Sequence, residues 1–472
     1  MIHPTQTVHM PAGPPPQGAG TSLGDPSGDA LAEWVDAILP LWRCITGDGL
    51  RATLHAIGDQ VPILLTEVPT GTPVLDWNVP KEWHVTEATI TRADGTRVVD
   101  AAASPLHLVQ YSAPVAARIS LADLRPHLHT LPETPDWIPY RTDYYSDGWG
   151  FCLRQSTLDA LANEVGETGE LDVVIDAELF DGSLTYGEVV VPGQVDDEIL
   201  ITAHACHPAL ANDNASSLAV ATALARQLVG GSALRHTVRF LFAPGTIGAI
   251  AWLDANRQRV GRIRGGLVLA NLGDAGGFTY KQSRPGTLDT PRSIDRAVPD
   301  VLRASGLACK VRPFSPFGYD ERQFGSPGFN LPIGRLTRTP HGEYPEYHTS
   351  ADDGSLIRPD ALEESLEVLG KIVAELDREL DASDPAVPEE RVAGAVLSRA
   401  PYGEPQLGRR GLYRFTDGAP HPRDLQQAIS WVLNLGDGRH TLGRIAQRSG
   451  LPKNVVQQAV NRLSEADLIE QL

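Results

Sequence analysis

Two imidazoles, a thiol and a carboxylate fall within a ten-residue window: His204, Cys206, His207 and Asp213, the last flanked by Asn212 and Asn214. Imidazole nitrogen, thiolate sulfur and carboxylate oxygen are the usual ligands of zinc, so the window is a candidate metal site. A blander reading stands beside it, in which Asp213 caps a following helix and the histidines are solvated loop residues. Three further stretches carry reactive side chains. Glu343–Asp353 reads EYPEYHTSADD and contains His348 and Asp352. Phe317–Phe324 reads FGYDERQF and places Asp320, Glu321 and Arg322 together. Phe240–Leu253 reads FLFAPGTIGAIAWL, a strand turning into a helix at Pro244-Gly245.

The flanking residues say how these groups are positioned. Glu198–Ala203 is a short apolar run with β-branched residues, which predicts a buried strand. Ser216–Arg226 has small and apolar residues at helical spacing. The candidate ligands therefore sit in a strand-to-helix loop, and in open α/β sheets ligands bind outside the carboxyl ends of strands. Thr237–Ala243 (TVRFLFA) and Gly265–Leu272 (GGLVLANL) read as further buried strands, and strands alternating with helices predict a mostly parallel α/β sheet. Leu171–Phe180 and Gly187–Val191 read as an antiparallel pair leading into it.

The remaining chain divides by texture. Residues 1–28 are rich in Pro, Gly, Ser and Thr and read as a disordered tail, with no basic-then-apolar targeting pattern. Helices are expected over Asp29–Leu41 and Leu50–Ile57. Short alternating runs between Gly and Pro turns mark a small inserted β subdomain over 64–131, so the α/β domain spans 29–63 and 132–385. Residues 395–472 give three helical segments, Arg423–Leu433, Thr441–Ser449 and Pro452–Ala466, with Gly450 at a turn and a closing strand near Ile469. That order predicts a winged helix. Its candidate reading helix, Asn454–Leu463, contains Arg462 alone as a cation, which is poor equipment for phosphates.

Bulk properties narrow the function. The chain has 472 residues, 42% hydrophobic and 21% charged, with a net charge of −19. That balance argues against a nucleic-acid or anionic-membrane partner, and no apolar run approaches the ~18–20 residues of a bilayer span. The four cysteines, Cys44, Cys152, Cys206 and Cys309, are unpatterned and read as reduced thiols of a cytoplasmic protein. Self-association is left open.

The order and wording of these stretches resemble the zinc-aminopeptidase clan, the family of the bacterial di-zinc leucine aminopeptidases. The resemblance is narrower still to a bacterial aminopeptidase-like family with an inserted β domain and a C-terminal winged helix. It is carried by ITGDG, EWHVTEATI, WGFCL, DGSLTYGE, CHPALANDN, SPFGYDERQFGSPGFNLPIG and EYPEYHTSADD, spread from Ile45 to Asp353. The resemblance implies zinc held by a histidine after the first sheet strand, by an Asp in the following turn and by a histidine in a His-Thr-x-x-Asp phrase. These fall on His207, favoured by its CHP phrase, with His204 as a second candidate, on Asp213 and on His348. It also implies an acidic loop beside the substrate, so Asp320, Glu321 and Arg322 are candidate substrate contacts. Asp352 is a candidate partner that orients His348, and Asp274 a weaker further ligand.

Two departures matter. The clan's Asp two residues after the first-strand histidine is replaced by Cys206, counted from His204. The clan's Glu at the strand-to-helix corner, a general base, is replaced by Gly245, and Thr246 stands where a ligand would be. Glu321 is then the candidate replacement base. The expected activity is hydrolysis of an amide bond in a small peptide or an aminoacylated small molecule. The alternative is a silenced peptidase fold that binds a peptide-like ligand or a protein.

Overall fold

The computed structural model describes residues 6–7, 27–380, 391–412 and 422–472. The disordered tail expected over 1–28 lies almost wholly outside the described residues, as does the Pro/Glu-rich connection over 381–390.

A nine-stranded sheet positions everything else. Its order is Gln6–Thr7, Leu64–Pro69, Ser183–Val191, His236–Ala243, Val195–His204, Ile263–Leu269, Ile333–Thr337, Phe278–Lys281, Cys309–Arg312. The central run from His236–Ala243 to Ile333–Thr337 is parallel, and antiparallel pairs flank it. Side chains alternate across a strand, and the central strands use both faces. Ile199, Ile201, Phe240 and Phe242 enter one core with Leu31, Trp34, Leu218, Leu362 and Leu369 from three helices, Gly28–Ile38, Ser217–Val229 and Pro359–Glu379. Leu200, Leu241 and Val268 enter a second core with the Ile247–Ala255 helix and the small β unit. A strand buried on both faces needs a continuous apolar run, which is why ILITA and RFLFA were legible as strands.

The small β unit is a four-stranded sheet in the order Arg97–Asp100, Glu82–Arg92, Glu170–Phe180, Val115–Ser120. Here the expected pairing of Leu171–Phe180 with Gly187–Val191 is corrected: the first pairs with Glu82–Arg92 and Val115–Ser120, the second with Leu64–Pro69 and His236–Ala243. The reason is register. Val173 lies opposite Ile90 and Ile175 opposite Ala88, so the buried residues of both strands share one face. The small sheet thus draws on segments either side of the 64–131 stretch, while Leu64–Pro69 itself belongs to the large sheet.

The C-terminal module has its own core, in which Val396, Ile429, Val432, Ile445, Val456, Val460 and Leu463 meet. Its helices are Pro422–Asn434, Leu442–Ser449 and Lys453–Glu465, with Gly450 in the left-handed region at the turn between the last two. A three-stranded sheet of Asp437–Thr441, Ala395–Ser398 and Ile469–Gln471 completes the winged helix. Arg284, 1% exposed, fastens it to the α/β domain through Asn434 and Asp437. Among the described residues no helix is long and apolar enough to cross a membrane.

Candidate metal centre and its cleft

His204 is the last residue of the central Val195–His204 strand, and the chain then loops through His207 to a turn over Ala211–Ser216. This turn departs from helical geometry at Asp213 and Asn214, and its polar side chains tie it to three other segments. Asp352 accepts from the backbone N–H of Asn212 and of Asp213 at 2.6 and 3.1 Å. Asn212 donates to Asp274 and accepts from the Gly273 N–H. Asn214 donates to the Leu269 carbonyl and faces His204 Nδ1 at 3.2 Å. A turn so pinned exists to hold one side chain, and that side chain is Asp213.

The Asp213 carboxylate is 0% exposed. Its Oδ1 lies 3.0 Å from His204 Nε2, and its Oδ2 lies 3.0 Å from His348 Nε2 and 3.9 Å from His207 Nε2. The sequence candidates His204, His207, Asp213 and His348 are therefore brought together. Burial alone would raise the Asp213 carboxyl, but the imidazoles, His207 foremost, hold it well below the usual carboxylate range. Burial pushes His207 well below its ordinary value, against the pull of Asp213. Neighbouring rings fix the imidazole planes: Tyr319 stacks on His204 with centroids 5.0 Å apart, and Tyr347 on His348 at 3.9 Å. Buried Arg43 donates from Nε to the His207 carbonyl at 2.7 Å.

A metal fits this donor set. Ligand atoms of His204, His207 and Asp213 all lie within 4.8 Å of one another. Tetrahedral zinc with bonds of ~2.0–2.1 Å sets adjacent donors roughly 3.3 Å apart, a value between the 3.0 Å from Asp213 to His204 and to His348 and the 3.9 Å to His207.

Three expected roles change. Asp352 does not orient His348; it fastens the Asp213 turn, and burial pushes its carboxyl up to about 7. Asp274 accepts from Asn212, Gly276 and Thr339, which makes it a loop tie rather than a member of the cluster. Glu321, 0% exposed, pairs with Lys281 Nζ at 2.7 Å and Arg335 at 3.4 Å and accepts from the Tyr319 N–H. Burial would raise it, but the two cations hold it down to about 2. It braces the Phe317–Asp320 loop from behind.

A cavity of about 230 Å³ opens over the cluster, lined by His204, His207, His348, Tyr319, Tyr347 and Asp320. Asp320, 4% exposed, accepts from the Thr246 N–H through Oδ1 at 2.7 Å. Next to it lies a larger cleft of about 640 Å³. Ile45, Tyr144, Gly245 and Thr246 line both. The cleft's far walls are Trp77 of a separate two-stranded hairpin (Pro73–Val74 with Trp77–Asn78), Arg322, and Glu404 and Arg409 of the C-terminal segment. Glu404 pairs with Arg322 at 2.9 Å, its carbonyl accepts from the Trp77 indole at 2.6 Å, and Asp76 pairs with Arg409 and Arg410. Arg322, expected at the substrate, is thus on the cleft wall.

Sequence reasoning gave no role to Tyr319, and named Asn214 only as a neighbour of Asp213. It also missed Arg43, for which the sequence holds no signal.

Comparison with known proteins follows the same outline. The family model described as a domain of unknown function, DUF4910, matches residues 32–379, and a winged helix-turn-helix model matches residues 395–471. A Clostridium acetobutylicum protein described as "Putative polysaccharide biosynthesis protein with aminopeptidase-like domain" is 38% identical over 445 residues, covering 94% of this chain and 96% of the relative. The crystal structure of a "putative peptidase" from Clostridium acetobutylicum superposes with a TM-score of 0.71 at 37% identity, over 94% of this chain and 96% of that one. A zinc aminopeptidase from Bacillus subtilis superposes with a TM-score of 0.54 at 12% identity, over 75% of this chain and 95% of that one. A peptidase M28 precursor from Shewanella amazonensis gives 0.51 at 14%, over 79% and 96%. The α/β domain has the zinc-aminopeptidase fold.

Proposed function

The chain belongs to the DUF4910 family, and on that premise we propose that it is a metal-dependent, aminopeptidase-like hydrolase that cleaves an amide bond of a small peptide or an aminoacylated metabolite. The observation that carries this reading is the convergence of three imidazoles on one buried carboxylate at the carboxyl end of a central strand. His204, Asp213 and His348 would hold a zinc ion, with His207 as a further ligand. His204 takes precedence over His207 because it lies 3.0 rather than 3.9 Å from the Asp213 carboxylate. Zinc bound there would supply Lewis acidity towards the scissile carbonyl and the attacking water.

The protein's own residues do the rest. The His204–Asp213–His348 geometry is set before any ligand arrives, since Asp352 and Asn214 fix the turn. Tyr140, Tyr319 and Tyr347 narrow the cavity and keep bulk water from the reacting amide. The acyl group sits over the cluster, and the rest of the substrate passes Gly245 into the larger cleft, where Trp77 offers a ring face and Arg322, Glu404 and Arg409 offer charge. The C-terminal module on this reading is a wall of the substrate cleft. The silenced alternative rests on the empty corner at Gly245 and Thr246 and is not favoured by the aminopeptidase-like description of the 38% identical relative.

The test is metal content by elemental mass spectrometry on wild type and His348→Ala, with hydrolysis of a panel of aminoacyl 4-nitroanilides and dipeptides. The reading predicts about one zinc per chain in the wild type, loss of that zinc in the variant, and amide hydrolysis abolished by a chelator. A wild type that takes up no metal after zinc is added back would sink it.

A further inference from the structure

The corner after the His236–Ala243 strand is unusual in what it lacks and in how it is bent. Gly245 has no side chain, and a Cβ built there would meet only Cys206 Sγ at 3.6 Å and His204 Cβ at 3.9 Å, so the space beside the first-strand histidine is open. Thr246 has φ 62 and ψ −75, and the Ile247 N–H donates back to the Gly245 carbonyl at 2.8 Å. That is a γ-turn, a conformation a β-branched residue adopts at a cost of ~1–3 kcal/mol and keeps only when its surroundings enforce it. Two contacts do so. The Gly245 N–H donates to Cys206 Sγ at 3.2 Å, and the Thr246 N–H donates to Asp320 Oδ1 at 2.7 Å.

Asp320 therefore reaches across the cavity to the corner where a side chain is missing. It is the one carboxylate among the cavity's lining residues, since Asp213 is enclosed by its imidazoles and Glu321 by Lys281 and Arg335. Oδ1 is taken by Thr246, and among the described residues Oδ2 has no hydrogen-bond partner. We propose that Asp320 is the general base of the reaction, delivered from the opposite loop in place of a side chain at position 245.

This rests on the hydrolase reading above. Asp320 Oδ2 takes a proton from the attacking water as the water oxygen bonds to the amide carbon. The same proton then passes to the leaving nitrogen as the C–N bond breaks. One water is consumed, and a carboxylic acid and an amine are released, which leave as carboxylate and ammonium once the acid's proton has passed to the amine. Glu321 serves this arrangement as a positioning residue: its ion pairs fix the loop from which Asp320 projects.

The test is Asp320→Asn, which keeps an oxygen to accept from Thr246 but cannot take a proton. Turnover should fall ~10²–10⁴-fold with KM little changed, the range for loss of a general base. Zinc content and melting temperature should match the wild type. Gly245→Glu in the Asp320→Asn background should then restore turnover at least tenfold, because the carboxylate returns from the other side. Asp320→Asn turning over within about threefold of wild type would overturn the proposal. So would loss of zinc or of folding in step with activity together with no rescue by Gly245→Glu, since Asp320 would then be structural. A wild type that binds zinc but hydrolyses none of the panel would instead bring down the hydrolase reading itself.

Discussion

Two strand-to-helix corners stand side by side at the carboxyl edge of the large sheet, and they are built on opposite plans. The corner after Val195–His204 is filled with side chains: two histidines, Asp213 and two asparagines, pinned by Asp352 and Asp274. The corner after His236–Ala243 is stripped to Gly245 and a strained Thr246. On the proposed reading the first corner contributes ligands. The second contributes room, and that room joins the cavity over the cluster to the cleft beyond. On that reading one corner carries the chemistry and its neighbour serves as a passage.

The sharpest way to break this contrast is to empty the full corner. Asp213→Asn should drop bound zinc to a small fraction of one per chain and lower hydrolysis by several kcal/mol, roughly 10³-fold, read by elemental analysis and initial rates. A variant that kept both would show that the imidazoles hold the ion unaided.

Glu321→Gln tests the brace behind the second corner. It leaves Lys281 and Arg335 buried beside a neutral amide, and breaking such a pair costs ~3–5 kcal/mol, seen as an earlier midpoint in urea. The pH dependence has a definite sign. The folded carboxyl is held at about 2, below its ordinary range, so its contribution is complete above that range and is lost as pH falls towards 2. The variant's stability should therefore vary less between pH 5 and about 2 than the wild type's, and a steeper acid loss would contradict the pairing.

A smaller effect is expected from Asp352→Asn, which loosens the turn but leaves every ligand. Zinc affinity should weaken ~10–100-fold in a competition titration, with the fold retained. Smallest is the pair at the empty corner. Gly245→Ala should change stability by no more than ~0.5 kcal/mol, because its Cβ meets only ordinary contacts. Thr246→Gly should raise the melting temperature by relieving ~1 kcal/mol of backbone strain, and a fall would mean that the Thr246 hydroxyl is worth more than its conformation costs.

The sequence exposed the full corner far better than the empty one, for a physical reason. His204, His207 and Asp213 share one loop, and the apolar run before them could only be a buried strand. His348 joined them through its phrase alone, and the fold places it 3.0 Å from Asp213. The linear reading put His207 ahead of His204 on its phrase, whereas in the fold His204 lies nearer to Asp213, at 3.0 against 3.9 Å, because both leave the same strand end and only distance separates them. Asp320 and Glu321 are adjacent and chemically alike. Their roles diverge because Lys281 and Arg335, on two other strands, claim one of them. The misassigned partner of Glu170–Phe180 has the same origin: alternation predicts a strand, but the matching buried faces of a distant strand choose its neighbour.

The strap from Glu404 to Arg410, tied to Trp77 and Asp76, gives the cleft an outer wall drawn from a module with a separate core. The wall and the sheet corners are therefore separable parts: the strap meets Asp76, Trp77 and Arg322, and among the described residues none of its ties reaches the Asp213 turn, so a substitution in the strap is expected to reshape the cleft and leave the cluster as it is.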